Sequence, residues 1–148
     1  GMENWWGHRW RHCQGLNLVN GTLYMKLTRS TADGSKTPEY ITSDTAGDYT
    51  RDYKSTGVSV PTNWSASFIV GIAGIKGCVT APKVADGTGS DGSYFCDATW
   101  SASGVLCLLC GGNVNSSSLA GLFASSLNNA PSYAIWNCGA SLSYRGGG

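Results

Sequence analysis

The sequence predicts a small α+β domain built from short twisted antiparallel strands, one or two short helices and much irregular loop. The chain has 148 residues, which is enough for one domain with a modest core. Glycine occurs 21 times and serine and threonine are frequent, which favours turns and short strands over long helices. Short apolar runs bounded by turn residues follow one another in the second half of the chain, as is typical of strands.

The charge balance argues against several classes of partner. The formal net charge is +1 and charged residues make up 13% of the chain, so nothing favours nucleic acid or an anionic membrane. No apolar run is long enough to span a bilayer, and no targeting signal is recognisable. We expect one domain over residues 1–148 that forms the C-terminal part of a longer chain, with no nucleic-acid binding and no membrane insertion.

A helix is expected near the start of the chain, over residues 3–13. Trp6, Trp10 and Cys13 fall at positions i, i+4 and i+7, which places them on one face of a helix. Gly15 can end this helix. Its three-residue apolar face would pack into the core.

The next segment predicts a β-hairpin over residues 16–28. Asn20-Gly21 is a two-residue turn signal between alternating apolar residues. Residues 29–65 are polar and turn-rich and predict a surface excursion with one short strand or helix. A strand is expected at residues 58–60, before a proline.

The second half of the chain predicts a series of short strands. The apolar run at 66–79 is broken by three glycines and suits a buried strand or a packed loop. A flexible loop is expected at 84–93. Further short strands are predicted at 93–97, 105–110, 120–126 and 139–145.

Two kinds of residue alternate in the last third of the chain, between Gly104 and Arg145. Small or unrelated residues fill the gaps between fixed-looking motifs, and a rigid frame with arbitrary inserts favours a binding surface over a catalytic centre. The motifs are GGNVN at 111–115, AGLF at 120–123, LNNAPS at 127–132 and WNCGASLSYR at 136–145, and SYFCD at 93–97 lies upstream of them.

In this order and spacing, the motifs resemble the C-terminal variable region of proteins served by diversity-generating retroelements. The segment at 3–13 also resembles the stretch that opens the domain of those proteins, with His8 in place of the usual Asn. The resemblance implies a C-type lectin-like fold of the formylglycine-generating-enzyme type, with a variable region at about 93–145. It further implies hypervariable recognition of host-cell or other surface ligands, by a phage or by a protein displayed on a bacterial surface. The expected location is therefore the virion surface, or the bacterial cell surface or its exterior.

Composition is compatible with that mode of diversification. Mutagenesis at adenines turns an Asn codon AAY into NNY, which cannot encode Lys, Glu, Gln, Met or Trp. Downstream of Lys83 the chain contains no Lys, Glu, Gln or Met. Trp100 cannot arise by this route, so we assign it to the frame or to an edge contact.

Thirteen side chains are expected to form the variable ligand-binding surface. Serine supplies adaptable hydrogen bonds, and tyrosine and apolar residues supply the anchors, which suits a protein or glycan surface ligand. The thirteen positions are Tyr94, Ala98, Trp100, Ser101, Ser103, Leu106, Val114, Ser116, Ser118, Leu119, Ser126, Tyr133 and Ile135.

No catalytic residue, metal site or cofactor is predicted, and the protein is not expected to be an enzyme. Cys107 and Cys110 form a CxxC inside a β-like apolar run, which disfavours a redox or zinc motif. His8 and His12 are spaced as zinc ligands can be, but adjacent arginines and the lack of an intervening Glu favour surface histidines. The six cysteines are expected to be free thiols, although their even number also permits disulfides.

Three alternatives stay open. The chain could be a non-diversified carbohydrate-binding or adhesin module of the same fold. It could be an enzyme related to the formylglycine-generating family, but the paired active-site cysteines of that family cannot be placed in this sequence. It could also be a purely structural virion protein.

Overall fold

The structure is a computed structural model that describes residues 9–26, 40–74, 80–86, 97–121, 123–133, 135–136 and 138–139. Within these ranges the chain forms nine strands and two short helices. The strands are β1 (Trp10–Val19), β2 (Thr22–Lys26), β3 (Tyr53–Ser59), β4 (Ser67–Gly74), β5 (Thr80–Asp86), β6 (Ala98–Ser101), β7 (Val105–Cys110), β8 (Ser125–Asn129) and β9 (Cys138–Gly139), and the helices are α1 (Ala46–Tyr49) and a 3-10 helix (Val114–Leu119).

All nine strands belong to one sheet with the order β3-β2-β1-β7-β8-β6-β4-β5, and β9 pairs with β1. Most pairs are antiparallel, whereas β6 pairs with β8 and β1 with β9 in parallel. Strands β3 and β5, at opposite ends of the order, contact each other, because the sheet curls into a half-barrel. The described chain is thus a small, mostly-sheet fold with two short helices. None of the helices in these ranges has the length and apolar character needed to cross a bilayer.

The main core lies inside the curl of the sheet. Leucines from four strands are almost fully buried there, together with Trp64, whose backbone is hydrogen-bonded to Ser101 of β6. A second, smaller cluster joins Val19 to the segment that contains α1. The buried leucines of this core are Leu16, Leu18, Leu23, Leu106, Leu108 and Leu127.

The helix expected over 3–13 is wrong where the structure describes it, because Trp10–Cys13 belongs to β1. Arg11 pairs with Cys110 of β7, and Trp10 pairs with β9. Three apolar residues at helical spacing are a weak signal, and pairing on both sides of β1 overrides it. Gly15 ends no helix; its φ of +79° lies within the irregular stretch of β1 where the register with β7 shifts.

The hairpin prediction is confirmed. β1 and β2 are joined by Asn20-Gly21, with Val19 paired to Thr22. Both turn residues have positive φ, 46° and 82°, as a two-residue turn that matches strand twist requires. The strand expected at 105–110 coincides with β7.

Other predicted boundaries shift or fall partly outside the described residues. β4 confirms a strand within 66–79, and β3 spans 53–59, where a strand was expected only from 58. The strand expected at 120–126 begins at 125. Residues 84–86 of the expected loop belong to β5, and the rest of that loop lies outside the described residues. Most of the strands predicted at 93–97 and 139–145 lie outside the described residues.

Candidate ligand-binding surface

Two tryptophans meet on the outer face of the sheet. Leu109 on β7 pairs with Ser126 on β8, which pairs with Trp100 on β6, so these three side chains share one face. His12 pairs with Leu109, and Trp10 lies two residues before it on the same face. The rings of Trp10 and Trp100 meet edge to face, with centroids 5.7 Å apart. Leu109 and Ser126 are buried on this face.

The segment after β8 continues this surface. Two turns form it, in which the Tyr133 amide donates to the carbonyl of Ala130 at 2.9 Å and the Cys138 amide to that of Ile135 at 3.0 Å. Tyr133, Ile135 and Trp136 are 37%, 39% and 64% exposed. We call these three residues the C-terminal apolar patch.

The patch borders the tryptophan pair. Cys138 pairs with Trp10, and the Cα of Trp136 is at most about 7.6 Å from that of Cys138, because consecutive Cα atoms are about 3.8 Å apart. Cys107, buried beneath, donates its thiol to the carbonyls of Asn129 and Ala130 at 3.4 and 3.7 Å. The turns that carry the patch are therefore tied to β1 at one end and to β7 at the other.

A hydrogen-bonded cluster fixes the end of β8 where these turns begin. The Ser126 hydroxyl donates to Oδ1 of Asn128 at 2.5 Å. The side-chain amide of Asn129 donates to Oγ of Ser126 at 2.7 Å and to Oδ1 of Asn128 at 2.6 Å. Ser126 therefore has a structural role in this network.

The 3-10 helix presents a further exposed apolar residue, Val114, which is 51% exposed. Its first turn is closed by Asn113, whose Oδ1 accepts from the Asn115 amide at 3.1 Å and from the Ser116 hydroxyl at 2.9 Å. Oγ of Ser116 in turn accepts from the Asn113 amide at 3.1 Å. This reciprocal cap holds the backbone, while the side chains of Val114 and Ser118 remain exposed.

Asp97 ties the segment after the 3-10 helix to the start of β6. Its Oδ2 accepts from the Phe123 amide at 2.7 Å. Gly121 leaves room for this carboxylate, since a Cβ at that position would stand 1.7 Å from Oδ1 of Asp97. This contact anchors the segment that leads into β8.

The thirteen expected positions divide by exposure. Ser103, Val114, Ser118, Tyr133 and Ile135 are exposed, and Trp100 and Leu119 are half-buried. Tyr94 lies outside the described residues. The expectation of outward-pointing side chains is wrong for five positions, which are buried: Ala98, Ser101, Leu106, Ser116 and Ser126.

Each of these burials has a physical cause. Leu106 packs into the main core. Ala98 lies on the same face of β6 as Trp100 and pairs with Phe68 of β4. Ser101 accepts from the Trp64 amide at 3.0 Å and donates to the carbonyl of Pro61 at 2.5 Å. Ser116 and Ser126 belong to the hydrogen-bonded clusters given above.

Trp136 is the surface residue that sequence reasoning missed. Its motif looked fixed, so it was assigned to the frame, yet it is the most exposed large apolar residue of the described chain at 64%.

The thiols of the CxxC do not face each other. Cys107 and Cys110 are three residues apart on β7 and therefore point to opposite faces. Cys107 lies 3.8 Å from Nδ1 of His12, and burial raises its pKa to about 11. Cys110 instead faces Cys13, with their Sγ atoms 2.8 Å apart. Neither of these two cysteines is in a disulfide, and the same holds for Cys107 and Cys138. No group of three metal-ligating side chains forms among the residues described.

A separate cleft lies beside α1 and has a volume of about 200 Å³. Asp52 in its wall is already paired with Arg51 at 3.0 Å. Ligand pockets usually enclose roughly 300–1,000 Å³, so this cleft is small for a ligand site. Its lining is Tyr40, Ile41, Thr42, Ser43, Asp48, Tyr49, Asp52 and Tyr53.

No protein-family model, curated protein or solved structure matches this chain. Functional inference therefore depends on the surface described above and on the sequence motifs. The C-terminal apolar patch is the strongest candidate site, because it combines exposed aromatic and aliphatic side chains with a backbone held by hydrogen bonds.

Proposed function

We propose that this chain is a ligand-binding protein whose exposed C-terminal side chains set its specificity. The observation that supports this is the contrast between fixed backbone and free side chains. The turns of the C-terminal apolar patch are tied to β1 and β7, while Tyr133, Ile135 and Trp136 project into solvent. Val114 shows the same contrast on its capped 3-10 helix.

The chemistry of the patch fits a protein or glycan surface. Aromatic residues dominate binding energy at interfaces, and a Trp side chain can bury 150–250 Å². Trp136 is 64% exposed, so covering it would contribute about 2 to 4 kcal/mol at roughly 25 cal/mol per Å². Burial of Tyr133 and Ile135 would add to this binding free energy. The patch residues carry no positive charge, so they do not favour an acidic ligand.

We further propose that the protein belongs to the class diversified by retroelements, with a C-type lectin-like fold. The order of the C-terminal motifs and the lack of Lys, Glu, Gln and Met after Lys83 support this proposal. The ligand would then be a host-cell or other surface component, met by a phage particle or by a bacterial surface protein. The exposed positions would be those at which variation changes affinity without unfolding the domain.

Two codon libraries test the tolerance that this function requires. NNY codons are placed at the exposed positions Val114, Ser118, Tyr133 and Ile135, and in a matched library at the buried positions Ala98, Leu106, Ser116 and Ser126. Surface changes usually alter stability by no more than about 0.5 kcal/mol, whereas core changes cost several. We expect most exposed-library members to remain folded by protease resistance on display, and most buried-library members to be lost. Equal survival of the two libraries would contradict the proposal.

Selection from the exposed library on immobilised glycans and on purified cell-surface ectodomains then measures binding. Binders should lose affinity when Trp136 is changed to Ala, but not when the equally apolar, 50% exposed Val84 of β5 is changed to Ser. Neighbouring DNA decides the mode of diversification: a reverse transcriptase and a near-copy of the 3′ end that differs at adenines are expected. If the gene is single and invariant and its protein binds glycans, the non-diversified carbohydrate-binding module would instead be established.

A further inference from the structure

Two cysteines that are 97 residues apart in sequence meet on neighbouring strands. The Sγ atoms of Cys13 on β1 and Cys110 on β7 are 2.8 Å apart. Arg11 is the register partner of Cys110, and the register shift that follows His12 brings Cys13 diagonally against the end of β7. Both side chains are half-buried, so neither is sealed from solvent.

We propose that Cys13 and Cys110 are a disulfide-forming pair that closes a covalent link between β1 and β7 in the presence of a small-molecule disulfide. A disulfide bond is about 2.05 Å long, so the two sulfur atoms at 2.8 Å need to approach by only about 0.8 Å. The proposal is independent of the ligand-binding function.

The reaction is two successive thiol–disulfide exchanges. The Cys13 thiolate attacks one sulfur of the small disulfide RS–SR, which forms Cys13–S–SR and releases RS⁻. Cys110 then loses its proton to solvent and attacks the Cys13 sulfur, which forms the Cys13–Cys110 bond and releases the second RS⁻. Two protein thiols are oxidised and one disulfide is reduced to two thiols.

The electrostatics assign the first attack to Cys13. The hydrogen bond from the Cys110 thiol lowers the pKa of Cys13, while the same bond and burial raise the pKa of Cys110. A thiolate is the attacking species in exchange, so the thiol with the lower pKa reacts first. Burial raises the pKa of both Cys107 and Cys138, which makes them poorer competitors.

The link would restrain the chain just before the capped 3-10 helix, because Cys110 directly precedes Gly111 and Gly112. Closing a loop of this length removes much conformational freedom from the unfolded chain. We expect the melting temperature to rise by roughly 5 to 15 °C on oxidation and to fall back to its original value on reduction. The effect should be visible without any ligand.

The experiment treats the folded protein with oxidised glutathione and maps the product by mass spectrometry. The expected product has lost two thiols and carries a Cys13–Cys110 peptide after digestion with chymotrypsin, which can cut at Leu108 and Leu109 and so separate Cys107 from Cys110. Cys13→Ser and Cys110→Ser should not form the link or show the rise in melting temperature. The matched control Cys107→Ser should form the link and show the rise.

Several results would overturn the inference. One is a folded wild-type protein that keeps all its thiols, or stops at a mixed disulfide with glutathione. Another is a link that involves any of the other four cysteines in place of this pair. A rise in melting temperature that persists in Cys13→Ser would also contradict it. If a serine variant does not fold, peptide mapping of the wild-type protein decides the question.

Discussion

Replacing Gly121 by Ala tests the contact that sets the start of β8. The new Cβ would stand 1.7 Å from Oδ1 and 2.5 Å from Cγ of Asp97, closer than non-bonded atoms come. Asp97 must then move and release the Phe123 amide, to which its Oδ2 is hydrogen-bonded at 2.7 Å. A hydrogen bond to a charged group contributes about 1.5 to 3 kcal/mol. We therefore expect Gly121→Ala to lower the free energy of unfolding by about 2 to 3 kcal/mol.

Urea denaturation measures this loss, and two further variants isolate its cause. Gly74→Ala is the matched control, because a Cβ at Gly74 meets nothing within 4 Å; it should change stability by less than about 0.5 kcal/mol. In the double variant Asp97→Ala/Gly121→Ala, the glycine substitution should cost almost nothing beyond Asp97→Ala alone. The reasoning is refuted if Gly121→Ala is as mild as Gly74→Ala, or if its cost is undiminished without the carboxylate.

Two more predictions concern buried polar groups. Asn17 is fully buried, donates to the carbonyl of Leu106 at 3.2 Å and accepts from the amide of Ile41 at 3.2 Å. Asn17→Leu should therefore lower the free energy of unfolding by about 1 to 3 kcal/mol, whereas Asn63→Ala at an exposed position should be near neutral. Equal costs of the two substitutions in urea denaturation would refute this. Burial raises the pKa of Cys107 from its ordinary value of 9.0 to about 11. The folded state thus favours the neutral thiol, so this contribution to stability is complete below pH 9 and lost as pH rises to about 11. Urea denaturation between pH 8 and 11 should show a smaller alkaline loss in Cys107→Ala than in the wild type, and identical pH profiles would contradict it.

Local signals in the sequence predicted the elements that depend on local chemistry. Asn20-Gly21 predicts its hairpin, because few other dipeptides adopt positive φ at two successive positions without strain. The apolar run at 105–110 predicts a short strand, and the structure has β7 there. The helix predicted from Trp6, Trp10 and Cys13 was wrong at Trp10 and Cys13. Three apolar residues at helical spacing do not reveal that β7 and β9 pair beside this segment.

The candidate surface was predicted less well than the fold. Small residues in the gaps between motifs suggested exposure, but Ser116 and Ser126 are buried because their hydroxyls satisfy neighbouring polar groups. The sequence does not distinguish a serine whose hydroxyl faces water from one whose hydroxyl bonds to a buried amide. The prediction for Trp136 was wrong in the opposite direction. A large apolar residue within a motif suggests a core position, but Trp136 is exposed.

Turn chemistry, apolar alternation and composition alone determined that this is a small, strand-rich domain with little charge. Only the tertiary structure decided which side chains face solvent. Trp10 and Trp100 come from strands far apart in sequence, yet their rings meet edge to face on the sheet face that also carries Ser126 and Leu109. The Cys13–Cys110 contact likewise exists only because β1 pairs with β7. Such proximities arise from the folding of the whole sheet, and no short window of sequence encodes them.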